Sequence, residues 1–377
     1  MTDPIRVVVV DDSAMMRRFI TSMLEQDPLI RVVGTAADGR QAIAAVQELR
    51  PDVVTMDVQM PVMDGLATTE YLMAYCPTPI LVITGSLNDS DVDITFQMLG
   101  AGALEVMEKP STADPRTFEG AARDLVRRVK VLSRVRVVTH LRGRRKPSSG
   151  EAPPAAGTAA RGAGDGEPAR ATPAAPPGPR HAPAQEPLSF PVIVIGASTG
   201  GPRVVHQILA GLPGDLPAAV LVVQHIAEGF SGGMVEWLAT AGPLPVALAS
   251  EWRPIQPREV LVAPDKRDML ITAAGRVHLS DSPLLIQRPS VDIAMQAAAE
   301  VYGRRTVGVL LTGMGRDGAY GLQAIRRRGG RTIAQDEASC AIFGMPRAAQ
   351  ILGVVDEALP PARIAVRLVE IVRGAEL

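Results

Sequence analysis

The sequence predicts an α/β protein built as two open, mostly parallel sheets with helices on both faces, separated by a disordered linker. Three observations carry that expectation. Short runs rich in Val and Ile alternate with longer amphipathic ones from residue 4 to about 131, and the alternation resumes over 190–377. Between these parts, in the linker 132–189, Arg142–Pro187 consists mainly of Ala, Pro, Gly, Ser and Arg and holds 10 of the 32 prolines. Such a stretch buries too little apolar surface to offset chain entropy. The 377 residues, 46% of them hydrophobic, suffice for more than one core.

In the first part the strand-like runs are Arg6–Val10, Arg31–Thr35, Val53–Asp57, Ile80–Thr84 and Ala103–Met107, each short and bounded by polar residues or Gly. Helical stretches fall between and after them, at Ser13–Gln26, Arg40–Leu49, Leu66–Ala74, Ser90–Leu99 and Pro115–Val131. Five βα units with right-handed crossovers leave few topologies, and the flavodoxin-like strand order 2-1-3-4-5 is expected. In the second part Pro191–Ile195, Ala219–Gln224, Glu259–Ala263, Thr306–Thr312 and Arg331–Ala334 read as strands of a second doubly wound sheet. Met269–Thr272 and Arg276–Leu279, joined through Ala-Ala-Gly, read as a hairpin.

Composition narrows the function. With 39 Lys plus Arg against 40 Asp plus Glu, the net charge is −1, which gives no reason to expect nucleic acid or an anionic membrane as partner. The basic run Arg142–Lys146 reads as a solvated cluster. Cys76 and Cys340, far apart and in no metal spacing, fit free thiols in a reducing compartment. The opening MTDPIRVVVVDD lacks the basic flank and apolar stretch of a signal peptide, and no segment nears the ~18 apolar residues of a membrane span. A cytoplasmic protein is expected.

Function in an open α/β sheet gathers at the carboxyl ends of the strands. Asp11 and Asp12 end the first strand and Asp57 the third, its expected neighbour. Three carboxylates so placed repel one another unless a cation offsets them, and a hard, oxygen-preferring ion such as Mg²⁺ suits the set. The ion also neutralises an incoming phosphoryl group while Asp57 attacks phosphorus. Thr84, ending the fourth strand, and Lys109, following the fifth, are positioned to contact the phosphoryl oxygens. Singly these signals are weak: Asp12 or Ser13 can simply cap a helix, and Lys109-Pro110 can simply be a turn. Together, each at the correct end of its own strand, they are strong. The set resembles the receiver domain of two-component response regulators over residues 4–131, through Asp11-Asp12, Asp57, MPVMDG at Met60–Gly65, Thr84 and Lys109-Pro110. That resemblance implies phosphoryl transfer from a histidine kinase to Asp57. Receivers usually carry Phe or Tyr three residues before the lysine; here that position is Val106.

The first strand of the second part runs directly into Gly196-Ala197-Ser198-Thr199-Gly200-Gly201, a G-x-S-x-G pattern that exposes a serine hydroxyl on a strand-to-helix turn. The helix after it, Val204–Leu212, points its N-terminus at the loop and can stabilise negative charge. Such glycine-rich turns also bind phosphates. A base is therefore needed, and five histidines are available. His140 and His181 lie in or beside the linker, His206 within a helix and His278 on a hairpin strand, whereas His225 ends the buried strand Ala219–Gln224. For the carboxylate that orients the imidazole, Asp317 in Gly313-Met314-Gly315-Arg316-Asp317-Gly318 follows the most apolar strand, and Asp336 is its rival. Asp265, Asp268 and Asp292 read as surface or capping residues.

GASTGG at Gly196–Gly201, VVQHI at Val222–Ile226 and LTGMGRDG at Leu311–Gly318 make residues 190–377 similar to the catalytic domain of the chemotaxis protein-glutamate methylesterases. The resemblance implies Ser198 as nucleophile, His225 as base and Asp317 as its orienting carboxylate. It also implies γ-glutamyl methyl esters on chemoreceptors as substrate, with receptor glutamines open to deamidation by the same acyl chemistry. Backbone N–H groups, that of Met314 among them, would hold the oxyanion; the esterase step calls for no cofactor. Other classes fit less well. A dinucleotide-binding oxidoreductase wants an acidic residue after the next strand, where Gln224-His225 stands. A DNA-binding regulator wants a compact helical output module with a basic recognition helix. A non-catalytic, phosphorylation-dependent scaffold is separated from the enzyme by a methanol-release assay.

Overall fold

The computed structural model describes residues 3–85, 89–110, 115–135, 137, 189–281 and 288–374. Nearly all of the expected linker, with His140, His181 and Arg142–Lys146, lies outside the described residues.

The first sheet holds β1 (Ile5–Val10), β2 (Ile30–Ala36), β3 (Val53–Met56), β4 (Ile80–Thr84) and β5 (Glu105–Glu108) in the order β2-β1-β3-β4-β5, every pair parallel. This is the flavodoxin-like order expected. The Val run of β1 shows why it sits inside. Side chains alternate across a strand, so Val7 and Val9 pack with α1 (Ala14–Leu24) and α5 (Pro115–Leu132). Val8 and Val10 pack with α2 (Gly39–Leu49), α3 (Gly65–Tyr75) and α4 (Asp89–Ala101) on the other face. Ser13, Asp38 and Asp64 cap α1, α2 and α3 through their side chains.

The second sheet has seven parallel strands in the order β14-β13-β12-β6-β7-β9-β8. They are β6 (Val192–Ala197), β7 (Ala219–Gln224), β8 (Val246–Leu248), β9 (Val260–Val262), β12 (Thr306–Leu310), β13 (Arg331–Gln335) and β14 (Glu357–Leu359). The expected hairpin is present as the antiparallel pair β10 (Asp268–Ile271) and β11 (Val277–Ser280), separate from this sheet. One face is covered by α6 (Gly201–Ala210), α7 (Ser231–Ala239) and α11 (Pro361–Arg373). The other carries α8 (Val291–Tyr302), α9 (Ala319–Arg327), α10 (Met345–Ile351) and the hairpin. The edge strands β8 and β14, three residues each, were not expected from sequence. In the centre β6 lies between β12 and β7, the switch point at which an open sheet leaves a crevice outside its carboxyl ends.

The two halves meet through α4 and α7. Phe96 stacks on Trp237 with ring centroids 5.7 Å apart, and Gly233 admits Val92 so closely that a Cβ there would lie 1.8 Å from Val92 Cγ1. No helix among the described residues is long and apolar enough to cross a membrane.

Candidate functional site

At the carboxyl edge of the first sheet, Asp11, Asp12 and Asp57 present oxygens all within 4.8 Å of one another. Asp11 and Asp57 are buried and Asp12 is exposed; the cap of α1 is Ser13, not Asp12. Gly65 has to be glycine here, because a Cβ would stand 2.2 Å from the Asp57 carbonyl oxygen. Lys109 Nζ reaches Asp57 Oδ2 at 2.7 Å and Asp11 Oδ2 at 2.8 Å, and the Lys109 N–H donates to the Thr84 carbonyl at 2.7 Å. Burial pushes the Asp57 carboxyl up to about 6, with the Asp11 charge adding to the rise and Lys109 opposing it. Lys109 is held above its usual range: burial opposes its charge, but the two carboxylates outweigh that. The ammonium offsets only part of the crowded negative charge, one cation facing three carboxylates. An all-oxygen donor set that still carries excess negative charge fits a hard divalent cation.

At the carboxyl edge of the second sheet, Ser198 immediately follows β6 and His225 immediately follows β7. Ala197 pairs with Gln224 in the ladder, so the two residues emerge side by side, and the His225 N–H donates to the Ala197 carbonyl at 2.9 Å. Gln224, buried, donates through Nε2 to both the Ser198 carbonyl (2.8 Å) and the His225 carbonyl (2.9 Å), tying the two turns together. Gly200 sits at φ 74°, in the left-handed region, and a Cβ on Gly313 would lie 2.6 Å from Ser198 Cβ. Glycine at both positions thus lets the serine turn and the loop after β12 close on each other. That loop brings Asp317 to His225, with Oδ2 2.8 Å from Nε2.

The Asp317 carboxylate is well held. It accepts from Ser290 Oγ (3.0 Å) and the N–H groups of Val291 (2.8 Å) and Asp292 (2.9 Å) at the start of α8. Burial works against its charge, but the His225 hydrogen bond and charge and these N–H donors keep the carboxyl below its usual range. Asp336, the rival, instead caps the turn at Glu337–Ser339. Asp265 does bond outer groups, accepting from Ser231 Oγ at 2.9 Å. Asp268 and Asp292 are not surface residues: both are buried and face the Asp317 site, Asp292 capping N–H groups at the start of α9. His206 packs against Trp237 and His278 pairs with Glu251.

Ser198, His225, Gln224, Thr199 and Met314 line one cavity of about 90 Å³, whose opposite wall is the first half of the chain: Leu104, Glu105, Val106, Arg127 and Arg128. The Leu104 carbonyl accepts from the Gly200 N–H at 2.9 Å. Glu105 Oε2 accepts from Thr199 Oγ1 at 2.8 Å, while its other oxygen meets Arg128. Neither Met314 N–H nor Thr199 N–H has a backbone acceptor among the described residues. Sequence reasoning missed Glu105, Thr199, Gln224 and Ser290. Only Thr199, directly after the serine of a G-x-S-x-G turn, carried a local signal.

Fold and site together define a class: a receiver-type sheet with a phosphoacceptor-like carboxylate cluster, joined to an α/β unit with a serine, a histidine and an aspartate at its central crevice. The CheB methylesterase family model matches residues 193–368, and the response regulator receiver domain model matches residues 7–117. Protein-glutamate methylesterase/protein-glutamine glutaminase 3 of Anaeromyxobacter dehalogenans (strain 2CP-C) is 43% identical over 367 residues, spanning 97% of this chain and 98% of that one. Protein-glutamate methylesterase/protein-glutamine glutaminase 1 of Syntrophus aciditrophicus (strain SB) is 40% identical over 368 residues, 97% and 98% of the two chains. Among solved structures, the Thermotoga maritima CheB methylesterase catalytic domain is 37% identical with a TM-score of 0.48, covering 49% of this chain and 100% of that one. The chain belongs to the CheB methylesterase family, with a response regulator receiver domain at its N-terminus.

Proposed function

We propose that this chain is a phosphorylation-regulated protein-glutamate methylesterase of the cytoplasm, which hydrolyses γ-glutamyl methyl esters on chemoreceptors and deamidates receptor glutamines. In this reading residues 4–131 form the phosphoacceptor domain and 190–377 the catalytic domain. The observation that carries it is the His225–Asp317 contact at 2.8 Å beside Ser198, all at the ends of the adjacent strands β12, β6 and β7. His225 Nε2 faces Asp317, which leaves Nδ1 to take the Ser198 proton. Ser198 Oγ then attacks the ester carbonyl, and the Thr199 and Met314 N–H groups hold the oxyanion. Collapse of the tetrahedral adduct breaks the C–O bond to methoxide, which takes the proton from His225 and leaves as methanol. Water, deprotonated by the same imidazole, releases glutamate and restores Ser198. With a glutamine side chain the leaving group is ammonia.

Regulation follows from the shared cavity. Leu104, Glu105 and Arg128 line the cavity together with Ser198, and in this reading they keep a receptor helix from it in the unphosphorylated form. Phosphoryl transfer from a histidine kinase to Asp57, with Thr84 and Lys109 contacting the new phosphoryl oxygens, shifts the population to an open form. Asp11, Asp12 and Asp57 would hold Mg²⁺, which supplies charge neutralisation for the incoming phosphoryl group. The test is methanol release from methylated chemoreceptors, with and without a small phosphodonor. Ser198→Ala abolishes release in both conditions while the protein stays folded; turnover at the wild-type rate would end the assignment.

A further inference from the structure

Behind Asp317 two helix starts exchange carboxylates. Asp317 precedes α9, yet its side chain occupies the N-terminus of α8, accepting from Ser290 Oγ and the Val291 and Asp292 N–H groups. Asp292, in the first turn of α8, returns the arrangement: its Oδ1 accepts from the N–H of Gly318 at 2.8 Å and of Gly321 at 2.6 Å, at the start of α9. Each carboxylate thus satisfies amides that the other helix leaves without intrahelical partners. Gly318 sits at φ 92°, and a Cβ on Gly321 would lie 2.6 Å from Met295 Cβ, so the turn has no side chain of its own to fix it. What fixes it is Asp292.

We propose that Asp292 is a positioning residue for the esterase reaction: its side chain fixes the turn that aims Asp317 at His225, while its backbone N–H holds the Asp317 carboxylate. The inference rests on the Ser198–His225–Asp317 reading above. Two further features support it. Ser290, fully buried, is anchored in turn by Asp268, whose Oδ1 accepts from the Ser290 N–H at 2.8 Å, so the cradle has its own support. The acceptor, moreover, is a carboxylate held at a cost: burial and the Asp317 charge push Asp292 up to about 6, yet it stays where the buried Gly318 and Gly321 amides need an acceptor that no apolar residue supplies.

The geometry sets the expected size. Loss of the orienting aspartate from a serine triad costs ~10⁴-fold in kcat, and a misplacement of ~1 Å costs ~10²-fold. Asp292→Ala frees the turn without removing Asp317, so kcat for methanol release falls roughly 10- to 100-fold with KM little changed. The acidic limb of the kcat/KM profile moves to lower pH, because a misaimed Asp317 no longer stabilises the His225 imidazolium. Asp292→Asn keeps the Oδ1 acceptor for Gly318 and Gly321 and restores most of the rate and the limb. Should Asp292→Ala not fold, Ser290→Ala carries the test: it removes one donor from the Asp317 carboxylate, leaves the α9 start intact and lowers kcat ~3- to 10-fold with the same acid-limb shift. The inference is overturned if a folded Asp292→Ala, or in its place Ser290→Ala, matches wild type in kcat and limb, or if Asp292→Asn is as impaired as Asp292→Ala. Ser198→Ala in the same assay keeps the two readings apart: a live Ser198→Ala removes the triad, whereas a dead Ser198→Ala beside a wild-type-like Asp292→Ala removes only the role of Asp292.

Discussion

Glu105 is where the closed form is most directly open to perturbation. It lies at the start of β5, and it is the receiver side chain that hydrogen-bonds Thr199, the neighbour of Ser198. A hydrogen bond from a hydroxyl to a carboxylate contributes ~1.5–3 kcal/mol in a protected setting. Glu105 keeps some solvent contact, so about 1–2 kcal/mol of the closed form's preference is at stake. At ~1.4 kcal/mol per factor of ten, and while the open form is the minor one, Glu105→Ala raises the open population about 5- to 30-fold. Methanol release without phosphodonor therefore rises by that factor. The phosphodonor-stimulated rate stays put, because Glu105 takes no part in acyl transfer, and the stimulation ratio shrinks accordingly. Arg128, held down to about 10 by burial, keeps Asp124 as partner at 2.7 Å, so the variant does not strand a buried cation. Glu105→Gln, whose amide oxygen still accepts from Thr199, gives a rise of only a few-fold. A folded Glu105→Ala that is phosphorylated normally and yet shows the wild-type basal rate would refute this account of closure.

Further expectations concern the phosphoacceptor site. Asp57→Asn abolishes stimulation by phosphodonor but keeps the basal methanol release, both read in the same assay. Because Asp57 must be ionised to attack phosphorus and its carboxyl is raised to about 6, phosphorylation by a small phosphodonor slows as pH falls through that value; raising the Mg²⁺ concentration moves the midpoint to lower pH, as followed by phosphate incorporation. The same raised pKa has a stability consequence: the folded state binds the extra proton between about pH 4 and 6, so stability falls as pH climbs through that window, by up to ~3 kcal/mol. Asp57→Asn lifts that loss, raising Tm at pH 7 in the absence of Mg²⁺ but not at pH 4, by thermal unfolding. Chelation with EDTA removes the phosphodonor effect and spares basal ester hydrolysis, because acyl transfer through Ser198, His225 and Asp317 in the proposed reaction calls for no metal.

How much of this was legible in the sequence depended on distance along the chain. The central strands announce themselves because both faces are covered: Val7–Val10 and Ala219–Gln224 are continuous apolar runs with a polar residue at the end where chemistry happens. Ser198, His225, Asp57 and Asp317 were findable for the same reason, each being the first polar group after such a run or in the glycine-rich turn beyond it. The order of the seven-stranded sheet was not, because local pattern does not encode which side of β6 a crossover takes. Strands β8 and β14 are only three residues long and only partly buried, so they show no periodicity to read. Asp292 is the instructive miss. At the start of a helix it looks like any capping acid, and only the fold shows that the amides it serves belong to α9, 26 and 29 residues downstream.

The proposed switch joins two sites on separate sheets, and β5 connects them. β5 is four residues long, about 13 Å from end to end. Lys109, directly beyond one end, grips Asp11 and Asp57 and bonds the Thr84 carbonyl; Leu104, directly before the other end, and Glu105, its first residue, grip Gly200 and Thr199. Val106, in the place where receivers carry an aromatic ring, lies between these two grips and lines the serine cavity. The strand is parallel-paired with β4 along its whole length. In the reading proposed above, repositioning of Lys109 toward a phosphoryl group on Asp57 would reach the Gly200 and Thr199 contacts along the β5 backbone, since Val106 supplies no ring to relay it.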